Sequence, residues 1–181
     1  VYFSNGDHES RVSKVPVMQT EAFLEYENRV RKLGVHILNN ASEEVILHGG
    51  KFCISGLEIP LECYGKGSYE PLPEHFIRDV LGDAKQDSVQ ILMAHNPMFA
   101  KEYADWGADI TVCGHTHGGL VRIPGIGSVI SPQFELFPKY DAGMMEFDGK
   151  KVYVSKGLGT HTFHIRVFDR AEVLMIRINK M

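Results

Sequence analysis

The spacing of apolar residues changes along the chain, and it predicts helices that alternate with buried strands. Apolar residues three or four positions apart predict a helix over residues 21–33, capped by Thr20, and a second helix over 73–81. Mostly apolar runs predict buried strands over residues 88–93 and 108–113. The first two thirds of the chain therefore have the order of an α/β fold.

A third helix is predicted over residues 97–106, between the two buried strands, and Pro97 suits its first turn. The order strand, helix, strand implies a crossover connection and parallel pairing of the two strands. Because parallel strands end at the same side of a sheet, side chains that follow them are expected to meet there.

Two glycine-containing pairs, Gly49-Gly50 and Asp148-Gly149, lie between β-prone runs and predict hairpins. The last third of the chain is β-prone without helical periodicity, and residues 163–168 and 172–178 are predicted to form a terminal strand pair. At 181 residues, the chain is expected to form one domain, 1–181.

The composition narrows the function classes. Hydrophobic residues make up 44% and charged residues 23%, which is typical of globular proteins. The net charge is −4 and no basic run occurs, which disfavours a nucleic-acid binder. The three cysteines lack paired spacing, which favours a reducing compartment over a disulfide scaffold or a zinc ribbon. No apolar run approaches the roughly 20 residues of a membrane span.

Residues that could bind a metal ion follow three apolar runs of the chain. One histidine after a strand is more often an ordinary core or surface residue than a ligand, but three such positions at corresponding strand ends favour a metal site. In an extended chain, two histidines one residue apart would face the same small volume. Mixed nitrogen and carboxylate ligands suit Mn²⁺, Fe or Zn²⁺. The positions are Asp7-His8-Glu9, His95, and the pair His115 and His117.

The remaining histidines carry weaker signals. His36, His48 and His75 are expected to be solvent-exposed. His161 and His164 are candidates for lining the site, although their three-residue spacing is not that of a metal-binding pair at a strand end.

With these motifs the chain resembles the calcineurin-like metallophosphoesterase superfamily, whose members carry five ordered sequence blocks. The third block, Gly-Asn-His-Asp/Glu, is similar to Gly6-Asp7-His8-Glu9, and the fourth, a lone His after a strand, is similar to His95. The fifth, Gly-His-x-His, matches Gly114-His115-Thr116-His117. The following Gly118-Gly119 is typical of a bacterial phosphodiesterase-like subgroup. The first two blocks, Asp-x-His and Gly-Asp-x-x-Asp, are absent, so the N-terminal part of the domain is expected to be missing.

The resemblance implies a fold of two packed mixed β-sheets flanked by helices, an αββα sandwich, here N-terminally truncated. It also implies roles for particular residues. Asp7, His95 and His115 would bind one divalent metal ion and His117 a second, with Mn, Fe or Zn as candidates. His8 would be the general acid, oriented by Glu9. Asp7 stands where the family has Asn, and its extra negative charge would tighten metal binding and repel a phosphate.

The function implied is hydrolysis of phosphomonoesters or phosphodiesters, with a small-molecule or lipid-like substrate. Two alternatives stay open: a non-catalytic binding or regulatory module with one metal position, and a structural zinc site, which would need four closed ligands. An oligomeric partner or a missing N-terminal segment is expected to complete the core. The protein is expected to be cytoplasmic, with association at a membrane surface left open.

Overall fold

The structure, a computed structural model, describes residues 1–14, 20–65, 70–119, 121–131, 135–160 and 166–179. Its strands are β1 Tyr2–Phe3, β2 His36–Ile37, β3 Ala41–Leu47, β4 Gly50–Leu57, β5 Val89–Ala94, β6 Ile110–Cys113, β7 Val121–Ile123, β8 Gly127–Ile130, β9 Gly143–Phe147 and β10 Lys150–Val154. Its helices are α1 Asp7–Lys14, α2 Glu21–Lys32, α3 Phe76–Leu81 and α4 Ala100–Trp106, with 3₁₀ turns at Leu61–Tyr64 and Pro97–Phe99.

A six-stranded mixed sheet with the order β3-β4-β5-β6-β10-β9 organises the chain. Its four central strands are parallel, whereas β3 and β9 pair antiparallel at the two edges. The connection from β5 through α4 to β6 is the predicted crossover, and the parallel pairing of these strands is confirmed. The carboxyl ends of the central strands therefore lie along one side of the sheet.

A second, small parallel sheet of β1 and β2 packs on the large sheet at Gly56 of β4. A Cβ atom added to Gly56 would lie 1.8 Å from the carbonyl oxygen of Leu38, so this backbone contact requires a glycine. Strands β7 and β8 form a separate antiparallel pair. The predicted α/β fold is confirmed: a mixed sheet and a small second sheet with flanking helices are consistent with the expected sandwich.

The core lies between α4 and one face of the large sheet. Leu92 and Ala94 of β5 are fully buried there against Phe99 and Tyr103. Residues that alternate with them on β5, such as Met93, are only half-buried, so the burial follows the period of two expected for a strand. Burying a side chain such as Leu92 contributes about 1.5–3 kcal/mol to the hydrophobic free energy of folding.

Local backbone geometry corrects three predicted elements. The helix predicted over 73–81 begins only at Phe76, because His75 before it has a left-handed backbone (φ 63°) that helices do not tolerate. The helix predicted over 97–106 is divided into a 3₁₀ turn and α4. The first hairpin turns at His48-Gly49, both with positive φ, whereas Gly50 already belongs to β4. The Asp148-Gly149 hairpin is confirmed.

The C-terminal strand pair predicted over 163–168 and 172–178 is wrong where it can be compared. Residues 172–178 form no strand: Glu172 donates one backbone hydrogen bond to Gly157, and the side chains of Val173 and Met175 are exposed. His161 and residues 163–165, which include His164, lie outside the described residues. No helix in the described part of the chain is both long and apolar enough to cross a membrane.

Candidate metal centre

Three loops at the carboxyl ends of strands bring Asp7, His95 and His115 together. Asp7 is the first residue of α1 and follows β1 in the chain, whereas His95 directly follows β5 and His115 follows β6. The backbone N–H of Gly114 donates to the carbonyl of His95 at 3.1 Å, which ties the last two loops to each other. The expected convergence of these three candidate ligands at one side of the sheet is therefore present.

The donor atoms of the three residues have the spacing of metal ligands. Oδ1 of Asp7 lies 3.3 Å from Nε2 of His95 and 3.5 Å from Nδ1 of His115, and all three donor positions lie within 4.8 Å of one another. Two ligand atoms that bind one tetrahedral ion at about 2.1 Å are about 3.4 Å apart. One carboxylate and two imidazoles thus fit a divalent ion such as Zn²⁺, Mn²⁺ or Fe²⁺.

Electrostatics favours the protonation states that a cation needs. Burial alone raises the pKa of the Asp7 carboxyl, but hydrogen bonds to His115 and His95 and positive charge from the neighbouring imidazoles outweigh it. The pKa of Asp7 therefore lies well below its usual value, and the group is ionised at neutral pH. Burial lowers the pKa of His115, although its hydrogen bond to Asp7 acts in the opposite direction. The lowered pKa keeps this imidazole neutral at neutral pH.

Tyr64 packs against both imidazoles and restricts their rings. The rings of Tyr64 and His115 meet in an edge-type arrangement, with centroids 5.1 Å apart and an interplanar angle of 66°, and the centroid of the Tyr64 ring lies 6.3 Å from that of His95. The two imidazoles are themselves 5.0 Å apart and nearly perpendicular. Burial, followed by the charges of Asp7 and Glu58, raises the pKa of Tyr64, so its phenol stays protonated.

The pair His115 and His117 does not lie in an extended chain, and that expectation is wrong. Strand β6 ends at Cys113, and both histidines have left-handed backbones, with φ of 66° and 50°. A tight turn forms because Thr116 N–H donates to the carbonyl of Gly114, while the Thr116 hydroxyl donates to the carbonyl of Asp141 at 2.8 Å. The backbone thus turns between the two imidazoles instead of aligning them.

His117 lies outside the three-donor group that the described residues form. Its ring is half-buried beside Gly159, with Cε1 3.8 Å from the position of a Cβ atom on that glycine. The assignment of His117 to a second ion stays a prediction.

The two residues predicted to perform proton transfer occupy the first turn of α1. His8 is exposed and adjacent to Asp7, and its charge acts on both Asp7 and His115. Oε2 of Glu9 accepts a hydrogen bond from the backbone N–H of Gly6 at 3.1 Å, which caps the start of the helix. This contact gives Glu9 a structural partner, and its orientation of His8 stays a prediction.

The sequence interpretation missed a buried carboxylate beside the site, Glu58. Its Oε1 accepts hydrogen bonds from Asn5 Nδ2 at 2.9 Å and from the Ser10 hydroxyl at 2.7 Å. The available signal was that Glu58 directly follows the apolar end of β4, the same pattern that pointed to His95. Tyr64 was also missed, because it lies in a segment without a candidate motif, between the first predicted hairpin and the helix predicted over 73–81.

Comparison with known proteins gives a consistent set of relatives. The chain is 33% identical over 89 residues to the phosphodiesterase YaeI of Escherichia coli, covering 49% of this chain and 32% of that protein. It is 28% identical over 186 residues to F40B5.2 of Caenorhabditis elegans, provisionally named a metallophosphoesterase, covering 99% of this chain and 35% of that protein. It is also 30% identical over 88 residues to the uncharacterized metallophosphoesterase YkuE of Bacillus subtilis, covering 49% and 30% of the two chains.

The matched segments span about a third of the length of these curated relatives. No protein-family model matches the chain, and no solved structure matches it.

Fold and site together define an α/β protein with a candidate metal centre at the carboxyl ends of its strands. The relatives are named phosphodiesterases or metallophosphoesterases, and the predicted resemblance to the calcineurin-like metallophosphoesterase superfamily is confirmed.

Proposed function

We propose that this chain carries a metal-dependent phosphoesterase site that hydrolyses phosphomonoester or phosphodiester bonds. The proposal rests on one observation: Oδ1 of Asp7 lies 3.3 Å from Nε2 of His95 and 3.5 Å from Nδ1 of His115. An ionised carboxylate and two imidazoles would hold one divalent ion, Mn, Fe or Zn. The group has three donors in the described part of the chain, which leaves coordination positions open, as in catalytic sites.

The remaining predicted residues take their roles from their positions around this group. When bound, divalent ions would supply polarisation of the phosphoryl oxygens and activation of an attacking water. His8 is exposed next to Asp7 and would donate its ring proton to the leaving oxygen, with Glu9 fixing the backbone of the same turn. His117 would contribute to a second metal position.

The proposed substrate is a small-molecule or lipid-like phosphoester. The name of the relative YaeI, a phosphodiesterase, favours a diester. The net charge of −4 and the lack of basic runs favour a compact substrate over a long nucleic acid.

A second candidate is a binding or regulatory module that keeps one metal position without turnover. It is favoured by the separation of His117 from the single three-donor group found among the described residues. Asp7 also favours it, because an additional negative charge next to the metal repels an anionic substrate.

The proposal is tested by measuring turnover of a nitrophenyl phosphodiester and of the corresponding monoester. Metals are first removed from the protein, and Mn²⁺, Zn²⁺ or Fe²⁺ is then added. We expect metal-dependent release of nitrophenol that is lost in His115→Gly. The matched control is His48→Gly. Both histidines have positive φ, at 66° and 50°, so glycine fits either backbone, but His48 lies in the β3–β4 hairpin turn.

Metal content per chain, measured by mass spectrometry, separates the two candidates. Two ions with turnover that His8→Ala abolishes would support the phosphoesterase. One tightly held ion without turnover of either ester would overturn it and leave the binding module.

A further inference from the structure

Helix α1, which carries Asp7, is held in place by polar contacts. Of its eight residues only Asp7 and Ser10 are buried. Asp7 faces the two imidazoles, so Ser10 is the other buried attachment point of the helix. Val12, the one apolar residue of α1, is only half-buried, so hydrophobic packing contributes little to where Asp7 lies.

The partner of Ser10 is Glu58, which accepts hydrogen bonds from residues on both sides of Asp7 in the chain. Its Oε1 accepts from the Ser10 hydroxyl at 2.7 Å, three residues after Asp7, and from Asn5 Nδ2 at 2.9 Å, two residues before it. Asn5 is 2% exposed and Glu58 is 7% exposed, so both hydrogen bonds are shielded from water. One carboxylate therefore fixes the turn from Asn5 to Ser10.

Glu58 is itself anchored to the sheets. Its backbone N–H donates to Oδ1 of Asn40 at 2.8 Å, and Oδ1 of the adjacent Asn39 accepts from the backbone N–H of Asn5 at 3.1 Å. Lys14 supplies a positive charge, with Nζ 3.8 Å from Glu58 Oε2. The carboxyl end of β4 thus connects through Glu58 to the start of α1.

A buried carboxylate needs a reason, because removing its charge from water is costly unless hydrogen bonds and a counter-charge compensate. Glu58 lies between Leu57 and Ile59, which are 1% and 2% exposed, so its carboxylate is held in a buried stretch of the chain. Outer partners that orient metal ligands are a known use of such groups.

We propose that Glu58 is a positioning residue for the metal centre: it fixes the turn that presents Asp7 to His95 and His115. This inference rests on the proposed metal site. Without the Glu58 carboxylate, Asp7 would lose its fixed distance to the two imidazoles, and metal affinity would fall although all three ligands remain in the chain.

Titration of the metal-free protein with Mn²⁺ tests the inference. We expect Glu58→Ala to weaken Mn²⁺ affinity about 10- to 100-fold, the range found for outer partners of metal ligands. Glu58→Gln keeps an oxygen that accepts from Asn5 and Ser10, and should recover most of that loss. Glu44→Ala is the matched control, because it removes an exposed carboxylate from the neighbouring strand β3 and should leave affinity unchanged.

A double-mutant cycle separates positioning from a general structural role. In the Asp7→Ala background, Glu58→Ala should cause no further loss of Mn²⁺ affinity, whereas an equal loss in both backgrounds would overturn the inference. Unchanged affinity in Glu58→Ala would overturn it as well. If Glu58→Ala does not fold, Ser10→Ala removes one of the two hydrogen bonds, and an affinity equal to that of the unaltered protein would count against the inference.

Failure of the proposed function has a different signature: the unaltered protein would bind no divalent ion. The imidazole NMR signals of His95 and His115 in metal-free protein then provide the test. Glu58→Ala should shift them and Glu44→Ala should not, and unshifted signals in Glu58→Ala would overturn the inference.

Discussion

The backbone of Gly6 lies against the imidazole of His95. A Cβ atom added to Gly6 would be 3.0 Å from Cε1 and 3.1 Å from Nε2 of that ring. This glycine, next to Asp7 in the chain, therefore sets how closely the turn before α1 approaches the β5 loop.

Gly6→Ala is expected to weaken divalent-metal affinity about tenfold, because the His95 ring must move away from Oδ1 of Asp7. Isothermal titration with Mn²⁺ measures the change. Gly114→Ala provides the comparison, since its Cβ would meet the same ring at an ordinary 3.7 Å and should cause a smaller loss. Equal effects of the two substitutions would contradict the steric explanation.

Asp7→Asn tests the effect of the ligand's charge. The amide oxygen can still ligate, but loss of the negative charge should weaken metal affinity by roughly tenfold, as ligand charge does in other oxygen sites. The KM for an anionic phosphodiester should fall, because repulsion of the substrate is reduced. Metal titration and steady-state kinetics at saturating metal measure the two effects. Tighter metal binding by the Asn variant would contradict the prediction.

Alanine substitutions at two glycines with positive φ distinguish the cost of backbone strain from the cost of steric overlap. Gly119 has φ of 91° and Gly125 of 83°, but an added Cβ would lie 1.7 Å from Ser128 Oγ in the first case and meet nothing within 4 Å in the second. Gly125→Ala should cost about 1–2 kcal/mol of unfolding free energy from strain alone. Gly119→Ala should cost about 1–3 kcal/mol more because of overpacking. Urea denaturation compares them, and equal losses would show that the overlap is relieved at no cost.

Tyr103→Phe removes a buried hydrogen bond behind the metal centre. The Tyr103 hydroxyl donates to the carbonyl of Asn96 at 2.8 Å, and the side chain is fully buried. The substitution should lower the unfolding free energy by about 1 kcal/mol. Tyr26→Phe on the exposed surface of α2 is the control and should have little effect. Indistinguishable midpoints of urea unfolding would argue against a stabilising role for this hydrogen bond.

The sequence predicted the part of the site that depends on strand order. His95 and His115 each follow an apolar run, and the crossover between those runs dictates parallel strands, so their carboxyl ends had to meet. Apolar spacing also predicted α2 with its Thr20 cap, which accepts from the Phe23 N–H at 3.3 Å.

What the sequence could not predict depends on contacts between distant residues. The left-handed backbones of His115 and His117 belong to a turn that the Thr116–Asp141 hydrogen bond stabilises from 25 positions away. Similarly, a glutamate such as Glu58 is normally expected in solvent, and its burial depends on partners distant in the chain, such as Asn5 and Ser10.

Of the eight residues of helix α1 only Asp7 and Ser10 are buried, so we expect the helix to open locally by breaking mainly polar contacts. Such opening would withdraw Asp7 and leave an ion bound by histidines alone. The residence time of a bound metal would then follow the local opening rate of this one helix, and metal exchange would proceed while the sheet stays folded.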